Sequence, residues 1–171
     1  MNKKGFTLTE MLLALLLMSI AFVGISGSMV AISTAYERVS LTSEAQILLS
    51  TAADEITSDI HNITSVKQLD TDEDGVMETY YYCEDRGVAI RFENSENGIM
   101  VVSTDGNKIS LLTKATNSQG LYTEIIPEPG SADLLYRDDN GAYHFTLAVK
   151  LRDKVLISTP LVLRPMTNKG E

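Results

Sequence analysis

Residues 3–32 read KKGFTLTEMLLALLLMSIAFVGISGSMVAI, and this stretch decides the fold of the chain. Its larger part, residues 11–32, contains apolar, small and hydroxyl side chains and no charged residue. At 1.5 Å per residue, a helix of this length covers roughly 30 Å, which is the thickness of the hydrocarbon core of a bilayer. The stretch therefore predicts a helix that can span a membrane.

The charges beside this segment predict its orientation. Lys3 and Lys4 are the only positive charges before Arg38. Because the cytoplasmic flanks of membrane helices are enriched in lysine and arginine, the N-terminus is expected in the cytoplasm. Everything beyond about residue 32 is then expected on the other side of the membrane.

Two ordinary segments could share these features, a secretory signal peptide and a plain signal anchor. The apolar run is longer than the core of about 7 to 15 residues that a signal peptide carries, and a carboxylate, Glu10, precedes it at once. A signal anchor explains the length but gives no purpose to Glu10 or to the Gly5-Phe6 step. Both alternatives are therefore disfavoured by the residues themselves.

The residues around Gly5 closely resemble the motif of a known family. The stretch KKGFTLTE, followed at once by MLLAL, is similar to the processing motif of type IV prepilins and of type II secretion pseudopilins. The resemblance implies that a membrane prepilin peptidase cuts between Gly5 and Phe6 on the cytoplasmic side and then methylates the amine of Phe6. It also implies two further kinds of partner, other pilins or pseudopilins bound through the N-terminal helix and a membrane assembly platform.

Glu10 is the charged residue of this motif with the clearest expected role. A carboxylate near the edge of the hydrocarbon is unfavourable unless it is paired. The resemblance implies that its partner is the free N-terminal ammonium of a neighbouring subunit, so that Glu10 sets the register of assembly. The alternative is a carboxylate that lies at headgroup level and stays hydrated.

Further along the span, Gly24 with Ser28 and Gly27 with Ala31 have the small-xxx-small spacing that permits close helix contact.

Beyond the membrane segment the helical pattern continues. Apolar residues recur at steps of three or four, with one gap, at Ile32, Tyr36, Val39, Leu49, Ala52, Ile56, Ile60 and Ile63. One helix is therefore expected from about Phe6 to Ile60, roughly 80 Å long. The expected segments are a leader at 1–5, a membrane or filament-core helix at 6–32, the extracytoplasmic amphipathic half of the same helix at 33–63, and a head at 64–171.

The head is expected to be mainly β. After residue 64 the apolar period changes from about 3.6 to 2, and valine, isoleucine, tyrosine, phenylalanine and threonine become frequent. Strands are expected at 77–83, 88–93, 99–104, 108–113, 121–126, 143–151 and 155–163. Hairpin turns are expected at Asp105-Gly106, Asn140-Gly141 and Asp153-Lys154. The predicted fold class is α+β, with a long N-terminal helix packed on an antiparallel, β-rich, pilin-like head.

One segment of the head has the pattern of a metal site. Residues 70–75 read DTDEDG, with carboxylates at Asp70, Asp72 and Asp74 and a glycine at the sixth position, as in the first half of a calcium loop. Glu78 holds the ninth position, but the twelfth is Tyr81 instead of the bidentate glutamate of a full loop. The pattern predicts a calcium site formed by Asp70, Asp72, Asp74 and Glu78, with a solvated acidic turn as the alternative.

Composition excludes several other functions. The formal charge of −9 disfavours nucleic-acid binding by bulk electrostatics. The single cysteine, Cys83, cannot form an intrachain disulfide. His61 and His144 are isolated and distant in sequence, with no nearby partner signature, and the head has neither a Gly-rich phosphate loop nor a nucleophile elbow. No enzyme is predicted, and no cofactor is required other than a possible calcium ion.

The sequence is therefore interpreted as a structural subunit of a filament. The resemblance implies a type IV pilus, a competence pilus or a type II secretion pseudopilus. The stretch at 136–164 resembles the closing hairpins of larger minor pseudopilins, which favours a minor pilin or pseudopilin over a major one. The alternative is a membrane-tethered binding module or a pilus-tip adhesin with the same anchor.

Overall fold

The computed structural model describes residues 7–70, 75, 77–84, 86–112, 120–131 and 133–166. Helix α1 runs from Leu8 to His61 and is 54 residues long. Antiparallel β-sheets follow it, so the predicted α+β class is confirmed. The contacts divide the chain into two units, residues 1–41 and residues 42–171.

In the first unit, the side chains of α1 are exposed from Leu8 to Val39. The most apolar 18-residue window of α1 has a mean hydropathy of 2.3, and this helix is long and apolar enough to cross a membrane. Its hydroxyl groups bond back to carbonyl oxygens four residues earlier, Ser19 to Leu15 at 2.8 Å and Ser28 to Gly24 at 2.9 Å. These two hydroxyls therefore bring no unpaired donor into an apolar environment.

In the second unit, one face of α1 enters the core of the head. Ala45, Leu48, Ala52, Ile56 and Ile60 are buried, and they follow one another at steps of three or four residues. This spacing places them on one face of a helix. The predicted apolar stripe therefore continues to the end of the helix, with one difference: Leu48 is buried in it, whereas the predicted Leu49 is only partly buried.

The first sheet contains five strands in chain order, each antiparallel to the next. The strands are β1 (Ile63–Leu69), β2 (Glu78–Cys83), β3 (Val88–Ser95), β4 (Gly98–Ser103) and β5 (Lys108–Ser110). Its inner face carries Tyr81, Cys83, Ile90, Phe92 and Val101, which belong to the same buried cluster as Ile56 and Ile60 of α1.

The second sheet is built around one long strand. Its strands are β6 (Leu121–Ile126), β7 (Tyr136–Arg137), β8 (Tyr143–Leu151) and β9 (Lys154–Leu163). Strand β9 pairs with β8 over its whole length, whereas β6 pairs with residues 146–151 of β8 and β7 with residues 143–144. Strands β6 and β7 therefore lie one after the other along the same edge of β8.

Several sequence expectations differ from the structure. Strand β1 was not predicted, and Ile63, which was placed in the helical segment, is its first residue. Five of its seven residues are exposed, so it lacks the alternation that marks a half-buried strand. Strand β5 ends at Ser110 and not at residue 113. The last hairpin turns at Arg152 and Asp153, which both have positive φ (48° and 66°), one residue before the expected pair.

A buried ion pair joins the end of α1 to the loop after β2. The Arg86 guanidinium donates to both carboxylate oxygens of Asp59, through Nε at 2.7 Å and Nη2 at 3.0 Å. The Asp59 side chain is only 7% exposed and that of Arg86 is 31% exposed. The hydrogen bond to Asp59 raises the pKa of Arg86 above its ordinary value. This two-point geometry is the strong form of an arginine–carboxylate contact.

One asparagine connects the two sheets. Asn94 of β3 donates through Nδ2 to the carbonyl of Ile125 at 2.7 Å and accepts the N–H of Ile125 through Oδ1 at 3.0 Å. Its amide thus bonds to β6 as a neighbouring strand would.

A glycine lies close to this contact between the sheets. Gly98 has a φ of 114°, and a Cβ there would lie 3.4 Å from Oγ1 of Thr123. That distance is an ordinary van der Waals contact, so it is the positive φ that favours glycine at this position.

We expect Asn94→Ala to lower the free energy of unfolding by about 1 to 3 kcal/mol, because both backbone groups of the buried Ile125 lose their partner. Urea unfolding of the full chain in detergent measures the change. Asn97→Ala is the matched control, since Asn97 lies in the exposed turn between β3 and β4. Equal midpoints for the two variants would contradict a bridging role.

Candidate functional site

The start of α1 forms a reciprocal cap between Thr7 and Glu10. The Glu10 carboxylate accepts hydrogen bonds from the Thr7 backbone N–H and from the Thr7 hydroxyl, both at 2.9 Å. The Glu10 backbone N–H lies 3.4 Å from the Thr7 hydroxyl oxygen. This is a capping box, in which an N-cap hydroxyl and a carboxylate three residues later satisfy each other's backbone donors.

The capping box was missed in the sequence, although its signal is present. Thr7-Leu8-Thr9-Glu10 has the Thr-x-x-Glu spacing, and an apolar run follows it. The structure therefore shows a local partner for the Glu10 carboxylate within a single chain. Its predicted bond to the amino terminus of another subunit is a separate role, and it stays a prediction.

The predicted cleavage site, Gly5 with Phe6, lies outside the described residues. The same holds for the predicted methylation at the nitrogen of Phe6. The first residue described is Thr7, which belongs to the capping box. The processing step stays a prediction of the motif.

The membrane segment of α1 carries an open apolar groove along one side. It is lined by Ala21, Gly24, Ile25, Ser28, Met29 and Ile32. A Cβ added at Gly24 would meet no atom within 4 Å, and the same holds for Gly27. Small side chains at this spacing allow another helix to approach closely. The groove includes the predicted Gly24 and Ser28 pair.

Of the four predicted calcium ligands, the structure describes two, Asp70 and Glu78. Asp72 and Asp74 lie outside the described residues. Asp70 accepts the backbone N–H of Gly75 at 3.1 Å, so its carboxylate bonds to the loop itself. Glu78 forms an ion pair with Arg91 and accepts the Tyr80 hydroxyl at 3.4 Å. Glu78 therefore does not fit the role of a free ligand, and the calcium site stays a prediction.

His144 is not isolated, contrary to the sequence analysis. Its Nε2 lies 3.0 Å from Oδ2 of Asp138, and its ring lies against that of Tyr136 with the centroids 6.0 Å apart. Asp138 stands six residues before His144, across the Asn140-Gly141 hairpin. The register of that hairpin was the signal that could have found the contact.

The comparisons with known proteins bear on the N-terminus. Residues 1–26 match the family model described as the prokaryotic N-terminal methylation motif. The match supports the type IV pilin and pseudopilin family, and it confirms the resemblance based on residues 3–15. Neither a curated protein nor a solved structure matches the chain. Together, the motif and the apolar helix α1 fit a pilin-type subunit anchored in the inner membrane.

Proposed function

We propose that this chain is a minor pilin or pseudopilin, a low-copy structural subunit of a type IV pilus, a competence pilus or a type II secretion pseudopilus. The observation that carries the proposal is the methylation motif followed directly by the exposed, uncharged part of α1. A helix with apolar side chains on all faces needs lipid or other helices around it. A filament core of packed pilin helices supplies those contacts after assembly.

Before assembly, the chain crosses the inner membrane once, with its N-terminus in the cytoplasm and its head outside. Lys3 and Lys4 hold the leader beside the cytoplasmic headgroups. The prepilin peptidase cuts after Gly5, where the absence of a side chain lets the backbone enter a narrow cleft. Methylation of Phe6 follows, and the assembly platform then transfers the chain from the membrane into the filament.

The role of the head in this proposal is structural and not enzymatic. Its core holds two antiparallel sheets against the last four turns of α1, and its outer surface would form the outer surface of the filament. The closing hairpin of β8 and β9 lies in the stretch that resembles larger minor pseudopilins. This resemblance is the support for a minor role over a major one.

The intact mass of the mature protein from native membranes tests the processing. We expect the mass of residues 6–171 plus one methyl group. Gly5→Leu is the matched variant and should keep the full mass, because a branched side chain beside the scissile bond blocks the narrow cleft. A wild-type chain with residues 1–5 still attached, or one cut far downstream near Ser28, would contradict the proposal.

A further inference from the structure

A cleft opens on the outer face of the second sheet, at the edge of β8 that β6 and β7 share. Its volume is about 410 Å³, and it is lined by Glu128, Pro129, Gly130, Ser131, Tyr136 and His144. It lies between the segment that leaves β6 and the short strand β7. Neither the membrane helix nor the proposed assembly contacts use these residues.

One wall of the cleft is a tight turn. The Ser131 N–H donates to the Glu128 carbonyl at 3.0 Å, with Pro129 and Gly130 at the two central positions. Gly130 has a φ of 93°. Proline followed by a residue of positive φ is the arrangement of a type II turn, in which the proline fixes φ at the first central position and the glycine accepts the positive φ of the second. This wall therefore holds the backbone of Glu128 in place before any ligand binds.

The other wall is held by a small hydrogen-bond network. Asp138 accepts the backbone N–H groups of Asn140 and Ala142 through Oδ1, at 2.9 and 2.8 Å, and contacts Nε2 of His144 through Oδ2. The bond to His144 and these backbone bonds lower the pKa of Asp138 from its ordinary value. The His144 ring is thus fixed, and Tyr136, which is 46% exposed, lies beside it.

The charges around the cleft favour a cation. Glu128 is half-buried, and among the described residues its carboxylate has no ion pair and no side-chain hydrogen bond. Arg137 faces away, because its guanidinium lies over the ring of Tyr143 on the core side of the sheet. A carboxylate beside an exposed aromatic ring is the combination that binds ammonium and guanidinium groups.

We propose that this cleft binds an organic cation, an alkylammonium or guanidinium group, with Glu128 as the counter-ion and Tyr136 as the aromatic surface. His144 positions Tyr136 and is itself held by Asp138. A free polyamine and a lysine side chain of a partner protein both supply this chemistry. In this proposal the head recognises a basic ligand in the cleft next to β7.

Titration of the full chain in detergent micelles tests this site, with NMR signals of Tyr136 and His144 as the readout. The probes are spermidine, for a free polyamine, and the tripeptide amide Ac-Gly-Lys-Gly-NH2, for a protein side chain. We expect saturable shifts with at least one probe. Glu128→Gln and Tyr136→Leu should each weaken that binding about 5-fold or more, because each removes one of the two attractive contacts.

Glu96→Gln is the matched control, since it removes the same charge from an exposed turn between β3 and β4. It should change the affinity less than 2-fold, roughly the effect expected for a distant, screened surface charge. Tighter binding of the tripeptide identifies a protein side chain as the natural ligand, and tighter binding of spermidine identifies a polyamine. Absence of saturable shifts with both probes, or an equal loss in Glu96→Gln, would overturn the proposal.

Discussion

Glu10→Gln is expected to reduce incorporation of the chain into filaments by about 100-fold, while the start of α1 stays capped. The capping box accepts either glutamate or glutamine at this position, so the variant keeps the contacts with Thr7 and loses only the charge. The predicted partner of Glu10, the ammonium of the neighbouring subunit, would then be buried without a counter-ion. Removing one partner of a buried ion pair costs about 3 to 5 kcal/mol. Quantitative immunoblots of sheared filaments against membranes measure the ratio.

Two further variants separate the two roles of this carboxylate. Thr7→Ala removes the capping hydroxyl and keeps Glu10, so incorporation should stay near that of the wild type despite a loss of about 1 kcal/mol at the helix end. Glu10→Ala removes both the cap and the charge, and should fail to assemble as Glu10→Gln does. If Glu10→Gln assembled normally and Glu10→Ala did not, the cap and not the charge would be what assembly requires.

Arg86→Met is expected to lower the free energy of unfolding of the head by about 3 kcal/mol. The variant keeps an apolar stem of similar length but removes the two hydrogen bonds that Arg86 donates to the buried Asp59. The contact between Arg86 and Glu55, at 3.2 Å, is lost as well, but Glu55 is half exposed and contributes little. The midpoint of urea unfolding of the full chain in detergent measures the effect.

Lys108→Met is the matched control for this prediction. It breaks the contact between Lys108 and Glu93, at 3.0 Å, in which both side chains are more than a third exposed. Such a pair is worth about 0 to 1 kcal/mol, so this variant should unfold near the wild-type midpoint. Adding Asp59→Leu to Arg86→Met should recover part of the lost stability, because the buried charge disappears. Equal midpoints for Arg86→Met and Lys108→Met would refute the structural importance of the buried pair.

Local sequence rules predicted which segments of the head form strands better than they predicted how those strands are arranged. Strands β6 and β8 were predicted with the bounds that the structure shows. Strand β8 alternates apolar and polar residues over most of its length, whereas β6 is rich in strand-forming residues and ends before Pro127. Strand β1 was not predicted because buried and exposed residues do not alternate along it. Strand β7 was not predicted because two residues are too few to show a period. The cleft lies where β7 pairs with β8 next to the end of β6.

The capping box is a contact that was not predicted although a local rule describes it. Thr7 and Glu10 are three residues apart, so their contact depends only on helix geometry and could have been read from the spacing. The same is true of Asp138 and His144, which a hairpin of known register brings together. In both cases the two residues are close in sequence, so a local rule is sufficient to predict the contact.

The sequence by itself indicated the helix of membrane length and the methylation motif, because both depend on residues that are consecutive. An uncharged run of membrane length and the motif at residues 3–10 act through composition and order, and no distant contact is needed to recognise them. Only the tertiary structure decided the bridge from Asn94 to Ile125, the pair of Arg86 with Asp59, and the cleft beside Tyr136. The first two join residues 31 and 27 positions apart. Periodicity tells which face of an element is buried, but the packing of whole sheets decides which residues meet there.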